Sequence, residues 1–250
     1  MLDFNINIRY ANARLNSNER RIMEAELLAP SVPAHKPPTQ RVTFDEFLDW
    51  LTEETKADLI DGVIHMQSPP ADVHERIFVF LIGILDAFVV RRKFGIIRGS
   101  RTTLKFSEAN GTQPDIVFIS NASRDRVHPS FMDGAPEVVV EILSPSTRKL
   151  DRGKKMALYA THGVLEYWQI DPEGQNAGFF QNHNGAWLPM MTSDDDIFHS
   201  EAIPGFWLNT QWLFAEEMPD ILDTVMTILA GNGQEWNSAL EKGQTFCVAL

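Results

Sequence analysis

Cysteine is almost absent from this chain of 250 residues, in which Cys247 is the only one. A single cysteine excludes an internal disulfide, and this usage is typical of proteins from a reducing compartment. It also excludes the paired cysteines of a zinc ribbon. The apolar fraction of 44% and the charged fraction of 22% are those of an ordinary globular protein that buries a core without covalent staples.

Long hydrophobic runs are absent as well. The longest, residues 77–90, is interrupted by Asp86 and is shorter than the ~20 residues that a membrane span needs. Residues 1–9 contain Asp3 and lack the apolar core of a signal peptide, so the sequence predicts a cytoplasmic protein with no membrane partner. A Walker phosphate loop and a G-x-G-x-x-G dinucleotide motif are also missing, which argues against the nucleotide-binding folds that depend on them.

Positive charge is scarce overall but locally concentrated. The formal net charge is −12, which argues weakly against nucleic-acid binding because attraction to phosphate dominates that affinity. Basic residues nevertheless cluster between residues 91 and 105 and again between residues 148 and 155. Either cluster alone is more simply explained as a solvated face. Because the two bracket the acidic residues discussed below, together they allow a local phosphate-binding surface.

The order of the predicted elements indicates a mixed α/β domain with a segment on either side. Residues 1–40 are rich in proline, which predicts an arm or linker. The sequence predicts that residues 41–214 form the globular domain and that residues 215–250 form a C-terminal helical tail.

Local signals place several elements within the domain. Thr43 and Glu46 match a capping box at a helix start, and Asp61-Gly62 between two apolar runs predicts a β-hairpin. A core helix, capped near Asp72, is expected to extend to about Lys93.

Two carboxylates occur in stretches that should be buried. Asp115 opens one apolar run, and Glu141 lies in the middle of another, residues 137–143. A buried charge is costly unless it is paired or binds a metal. If the two strands pair, these side chains can converge at one end of the sheet, where oxygen ligands and water suit Mg²⁺. Lys154 or Lys155, on the following helix, could then supply a cation for an anionic transition state.

Each of these residues also has an ordinary structural explanation. Asp115 could bond the amides at a strand start, Glu141 could pair with an arginine, and Lys155 could lie on a solvated helix face. His74, Tyr159 and Trp168 are assigned to the core. Ser144 does not lie in a G-x-S-x-G elbow, so a serine hydrolase is not expected.

Several motifs, taken together, resemble one known family. They are Pro114-Asp115, E-I-L-S-P-S-T at 141–147, D-R-G-K-K at 151–155, Gly163-Val164, E-Y-W-Q-I-D at 166–171, and upstream L-I-D-G at 59–62, S-P-P at 68–70 and His74. This combination is similar to the Uma-type restriction endonucleases of the PD-(D/E)XK nuclease superfamily. The resemblance covers about residues 41–214, and the joint pattern is specific although each motif alone is weak.

The resemblance implies a restriction-endonuclease-like core, a central mixed β-sheet flanked by helices, and a set of site residues. Asp115 would be the aspartate of the motif, Glu141 its second acid, and Ile142 the donor of a main-chain carbonyl to the metal. The usual lysine position holds Leu143 here, and Lys155 matches a lysine displaced to the next helix, with Lys154 ranked second. Asp58 stands where the family usually has Glu and would be an additional ligand.

The function implied by this likeness is that of an endonuclease that hydrolyses DNA with Mg²⁺ or Mn²⁺. DNA would be the partner, with contacts from Arg98, Arg101, Arg152 and Lys154, and a homodimer is expected. The alternative is a degraded nuclease fold that binds nucleic acid or protein without turnover. The acidic net charge and the missing in-strand lysine favour that alternative, whereas the two retained carboxylates favour the enzyme.

Overall fold

The computed structural model of the protein describes residues 36–191 and 196–231. The chain divides into Met1–Pro37 and Pro38–Leu250, and every element below lies in the second unit. Most of the predicted arm, the tail beyond residue 231 and Cys247 lie outside the described residues. The predicted domain limits at residues 41 and 214 therefore stay predictions.

The described residues form runs of consecutive strands that are separated by a few helices. The strands are β1 (Ala57–Ile60), β2 (Val63–Met66), β3 (Gly95–Arg98), β4 (Leu104–Ser107), β5 (Asn110–Thr112), β6 (Ile116–Ser120), β7 (Met132–Asp133), β8 (Val138–Ile142), β9 (Glu166–Asp171), β10 (Asn176–His183), β11 (Ala186–Pro189), β12 (Ile197–His199) and β13 (Trp207–Asn209). The helices are α1 (Phe44–Trp50), α2 (Asp72–Arg92), α3 (Arg148–Leu150), α4 (Met156–His162) and α5 (Ile221–Ala230). A π-helical segment, Asp151–Lys155, joins α3 to α4, and 3₁₀ turns occupy Asn121–Arg126 and Thr210–Phe214.

A six-stranded mixed sheet in the order β11-β10-β9-β8-β6-β3 forms the centre of the domain. All neighbours are antiparallel except β8 and β9. Parallel strands need a long crossover, and the helical stretch from α3 to α4 provides it. The predicted fold class, a central mixed sheet flanked by helices, is confirmed.

A second sheet has five strands in the order β2-β1-β5-β4-β7. The predicted hairpin is its β1–β2 pair, in which Asp61 and Gly62 both have positive φ, 53° and 77°. These values suit the tight turns whose twist matches that of the strands. The capping box is also confirmed, since Thr43 and Glu46 bond each other's backbone amides at the start of α1.

Helix α2 packs its apolar side on one face of the six-stranded sheet. Ile77, Leu81, Ile84 and Phe88 are buried there, in one cluster with side chains of β6, β8 and β9. The cap predicted at Asp72 is wrong, because the N-cap is Ala71, which has no side chain to bond a free amide. Within the described ranges, no helix is both long and apolar enough to cross a membrane.

The period-2 alternation of the strands divides their side chains between the two faces of the sheet. Val138, Val140 and Ile142 of β8 belong to the core beneath α2, whereas Val139 belongs to a second core with Tyr159 of α4. Glu141 shares the face of Val139, as the sequence predicts. The sheet therefore presents this carboxylate toward the π-helical segment and α4.

Candidate active site

Strand pairing brings Asp115 and Glu141 together. In the β6–β8 ladder Val117 pairs with Val139. Two residues further along the same antiparallel register, Asp115 stands opposite Glu141, and both side chains project from one face. Both residues are buried, with 3% of their surface exposed. The convergence predicted from the sequence therefore occurs at the end of these two strands.

Asp115 is held by three groups from different elements. Its Oδ2 accepts a hydrogen bond from the Ile142 backbone N–H at 2.8 Å and lies 3.3 Å from Nε2 of His74. Its Oδ1 pairs with the ammonium of Lys56. Burial raises the pKa of Asp115, but His74 and Lys56 lower it by more, so that its pKa is well below the usual value. Asp115 is therefore ionised at neutral pH.

Glu141 lies in a different electrostatic environment. Its Oε1 accepts a hydrogen bond from the Tyr159 hydroxyl at 2.7 Å and lies 2.7 Å from Nζ of Lys155. No described residue donates a hydrogen bond to its Oε2. Burial raises the pKa of Glu141 to about 8, although Lys155 opposes the shift. Two adjacent carboxylates thus differ in proton affinity, an arrangement common at functional sites.

Lys155 is enclosed by three carboxylates. Besides Glu141, its Nζ lies 3.0 Å from Oδ1 of Asp151 and 3.3 Å from Oδ2 of Asp58, and its side chain is 1% exposed. Burial lowers the pKa of Lys155, but Asp151, Asp58 and Glu141 raise it by more, so this lysine stays charged. When all four groups are ionised, the cluster carries an excess of two negative charges. Such an excess in a buried place favours uptake of a proton or of a cation.

The π-helical segment positions two members of this cluster. Asp151 and Lys155 stand at its two ends, and both side chains turn inward. The main-chain carbonyl of Asp151 accepts hydrogen bonds from the Tyr167 hydroxyl at 3.1 Å and from Nε2 of Gln169 at 3.3 Å. Such departures from α-helical geometry are frequent at functional sites.

Asp58, the predicted additional ligand, lies behind Glu141. Its Oδ1 accepts a hydrogen bond from the Gln113 backbone N–H at 2.9 Å, and its Oδ2 accepts one from Gln67 Nε2 at 3.0 Å. Asp58 is fully buried, and it does not line the cleft onto which Asp115 and Glu141 open.

That cleft has a volume of about 350 Å³. The ionisable residues that line it are Glu54, Lys56, His74, Glu75, Arg101, Asp115 and Glu141, and Ile142 lies beside the last two. Its other side carries apolar surface from Pro69, Pro70 and Phe78. The space is therefore acidic at its base, with a few cations on its wall.

The basic residues predicted to contact nucleic acid do not all lie at the cleft. Arg101 lines it, and Arg98 is exposed on β3. By contrast, Arg152 donates to Asp171 at 2.9 Å and Lys154 to Asp61 at 2.8 Å, both away from the cleft. The second basic cluster is thus largely paired with carboxylates of the protein.

Sequence reasoning assigned some site residues to the core and overlooked others. His74 lines the cleft beside Asp115, and Tyr159 is buried but donates to Glu141. Lys56 and Asp151 received no role. The sequence did contain one indication of a role for Lys56. Alternation of side chains along β1 puts Lys56 on the same face as Asp58, which the family resemblance names as a ligand.

The donor set suits a hard divalent ion held partly by water. Within residues 36–191 and 196–231, no group of three or more His, Cys, Asp or Glu side chains has the arrangement of a metal site. Mg²⁺, however, is usually bound through one or two carboxylates, with waters and substrate phosphate completing its shell. The free oxygen of Glu141 and the ionised Asp115, on one cleft, match that pattern.

Comparison with solved structures identifies the class of fold. A crystal structure of a putative nuclease belonging to DUF820 from Anabaena variabilis matches with a TM-score of 0.61 and 21% identity, over 69% of this chain and 97% of that chain. This chain therefore has the same α/β fold as that protein.

Comparison of sequences then identifies the family. An uncharacterized protein of Synechocystis sp. is 31% identical in an alignment of 178 positions that covers 68% of this chain and 91% of that protein. The profile of Uma2, described as a putative restriction endonuclease, matches residues 44–211. The chain belongs to the Uma2 family, and the resemblance noted in its sequence is confirmed.

Proposed function

We propose that this protein is a divalent-metal-dependent endonuclease that hydrolyses phosphodiester bonds in DNA. The observation that carries the proposal is the carboxylate pair, Asp115 and Glu141, which adjacent strands direct into one cleft of a Uma2-family chain. Two carboxylates with different proton affinities suit a site that binds a cation and handles a developing negative charge.

Asp115, Glu141 and the main-chain carbonyl of Ile142 are the proposed ligands of a Mg²⁺ or Mn²⁺ ion. The N–H and C=O of one strand residue point to the same side, so the Ile142 carbonyl is directed, like its N–H, toward Asp115. Such an ion, when bound, would activate water and neutralise charge on a phosphoryl oxygen. Asp58 ranks below these ligands because it is fully buried and does not line the cleft.

Lys155 is proposed to act on the reaction through Glu141. Its ammonium holds Oε1 of Glu141, which orients the carboxylate so that Oε2 is left for a ligand. Its positive charge also reduces the electrostatic cost of ionising three buried carboxylates.

Arg101 is the proposed contact to the DNA backbone at the cleft, with Arg98 nearby on the exposed side of β3. Arg152 and Lys154 could join only after leaving Asp171 and Asp61, so we rank them second. We expect a cytoplasmic homodimer, in which two sites would meet the two strands of a duplex.

The test of this function is cleavage by the purified wild-type protein. Supercoiled plasmid, single-stranded DNA and single-stranded RNA are incubated at low salt with Mg²⁺, Mn²⁺ or EDTA. The proposal predicts nicked or linear plasmid with either metal and intact plasmid with EDTA. Cleavage of RNA alone would contradict the DNA assignment, and absence of any cleavage would contradict the enzyme.

A binding module without turnover is the second candidate. It is favoured by the hydrogen bonds and ion pairs that already occupy Asp115, and by the lack of a three-ligand cluster among the described residues. The two candidates differ in their response to metal. A ligand that binds only the native state at a concentration of 100 Kd stabilises it by about 2.7 kcal/mol. A melting temperature that is unchanged by millimolar Mg²⁺ or Mn²⁺ would favour the module.

A further inference from the structure

Two lysines, Lys56 and Lys155, contact the carboxylate pair, and they differ in whether the ammonium can reach a ligand in the cleft. An ammonium has three N–H donors. Lys155 faces three carboxylates, its side chain is 1% exposed and it does not line the cleft, so its ammonium cannot reach a ligand there. Within the described residues, the ammonium of Lys56 makes one hydrogen bond, to Oδ1 of Asp115. Two donors of Lys56 are therefore left for a ligand.

Lys56, unlike Lys155, reaches the cleft. It lines the cleft, and its side chain is 21% exposed. Its backbone is fixed at the edge of the β1–β2 hairpin, where its carbonyl accepts a hydrogen bond from the Gln67 N–H at 2.9 Å. Lys56 is thus a cation held on a rigid element, directed at the carboxylate on which the reaction is proposed to depend.

We propose that Lys56 binds a non-bridging oxygen of the phosphodiester in the cleft, whereas Lys155 remains a positioning residue for Glu141. This inference rests on the proposed function. An anionic strand in the cleft meets four carboxylates, those of Glu54, Glu75, Asp115 and Glu141, and it needs a cation at the same point to offset their repulsion. Arg101 and His74 also line this wall, but the hydrogen bond from Lys56 to Asp115 puts a charged donor directly beside the acid.

The experiment measures binding of a short single-stranded oligodeoxynucleotide by fluorescence anisotropy in EDTA, which excludes turnover. Wild type, Lys56→Met, Lys56→Arg and Lys105→Met are compared across a range of salt concentrations. Lys105 is the matched control, since it is also 21% exposed and paired with a carboxylate, Glu108, but does not line the cleft.

We expect Lys56→Met to weaken binding about tenfold and to reduce the slope of log affinity against log salt by about 0.7, the value for one phosphate contact on a single strand. Lys56→Arg should retain the slope, and Lys105→Met should match the wild type. If Lys56 only supported the fold, its replacement would not change the slope of log affinity against log salt. Unchanged affinity and slope in Lys56→Met would overturn the proposal.

Removal of Lys56 also leaves Asp115 unpaired, and this carboxylate could itself repel the strand. The double variant Lys56→Met/Asp115→Asn, compared with Asp115→Asn alone, separates the two effects. The proposal predicts the same loss of affinity and slope in this neutralised background, and equal binding by the two variants would overturn it. If the oligonucleotide binds in a manner that depends on Lys56 but is not cleaved in Mg²⁺, the phosphate contact of Lys56 is supported and the nuclease function is rejected. If the wild type does not bind the oligonucleotide, the phosphate contact of Lys56 is rejected.

Discussion

Replacement of Lys155 by methionine should destabilise the fold far more than the same change at its neighbour. Lys155 is 1% exposed and lies within 3.3 Å of three carboxylates, whereas Lys154 is 58% exposed and pairs only with Asp61. Removing one partner of a buried ion pair costs about 3–5 kcal/mol. An exposed pair is worth less than about 1 kcal/mol. The two substitutions lie side by side in one helical stretch, so helix propensity cannot account for a difference.

The loss in Lys155→Met should also depend on pH. Burial raises the pKa of Glu141 to about 8, and it raises the pKa of Asp151 as well. A carboxyl group whose pKa is higher in the folded state than in the unfolded state stabilises the fold at pH values below its unfolded pKa. This stabilisation is lost as the pH rises through the pKa of the folded state. Without the ammonium these carboxylates become still harder to ionise. The deficit of the variant relative to the wild type should therefore be smaller at pH 5 than at pH 8.

Thermal melting at pH 5 and pH 8, followed by circular dichroism, measures these effects. For a domain of this size, a loss of 3–5 kcal/mol lowers the melting temperature by roughly 6–20 °C. We expect a shift in this range for Lys155→Met at pH 8, a smaller one at pH 5, and little change for Lys154→Met. Equal shifts for the two variants, or a larger deficit at pH 5, would refute the assignment of Lys155 as the buried counter-charge.

Three further predictions follow from the site and its supporting elements. Because the pKa of Glu141 is about 8, the apparent affinity for Mg²⁺, measured from melting-temperature shifts, should rise about tenfold per pH unit from pH 6 to pH 8; an affinity independent of pH would show that Glu141 is not a ligand. Tyr159→Phe removes the hydroxyl that donates to Glu141 at 2.7 Å and should cost about 1–2 kcal/mol in urea denaturation, and a variant as stable as the wild type would contradict that contact. Gly62→Ala places a Cβ at a φ of 77° and 3.1 Å from Cβ of Arg41, so the same assay should show a loss of about 1 kcal/mol or more, whereas a gain would mean that the β1–β2 turn differs.

Local patterns in the sequence predicted many of the elements. Alternation in β8 correctly put Glu141 on the face opposite Val140, and Asp61-Gly62 correctly predicted the hairpin. Helix α5, Ile221–Ala230, lies within residues 215–250, for which the sequence predicts a helical tail. These features depend on residues within a few positions of one another, which is the range over which periodicity and turn chemistry act.

The partners of the carboxylates were less predictable, because they come from distant parts of the chain. Lys56 is 59 residues from Asp115, and the two meet only because the β1–β2 hairpin packs beside the end of β6. His74 was assigned to the core since it begins an apolar helix, and its orientation toward the cleft depends on where α2 crosses the sheet. The inward turn of Asp151 depends on the π-helical segment, which has no short-range signature in the sequence.

The central claim is that Asp115 and Glu141 form one metal-dependent phosphodiesterase site. The most direct measurement is cleavage of supercoiled plasmid in Mg²⁺ or Mn²⁺ by Asp115→Asn, Glu141→Gln and, as a control, Asp86→Asn, which alters an exposed carboxylate of α2 outside the cleft. We expect metal-dependent cleavage by the wild type and by Asp86→Asn, and its loss in each of the other two variants while they remain folded. Cleavage that persists in both Asp115→Asn and Glu141→Gln would contradict it.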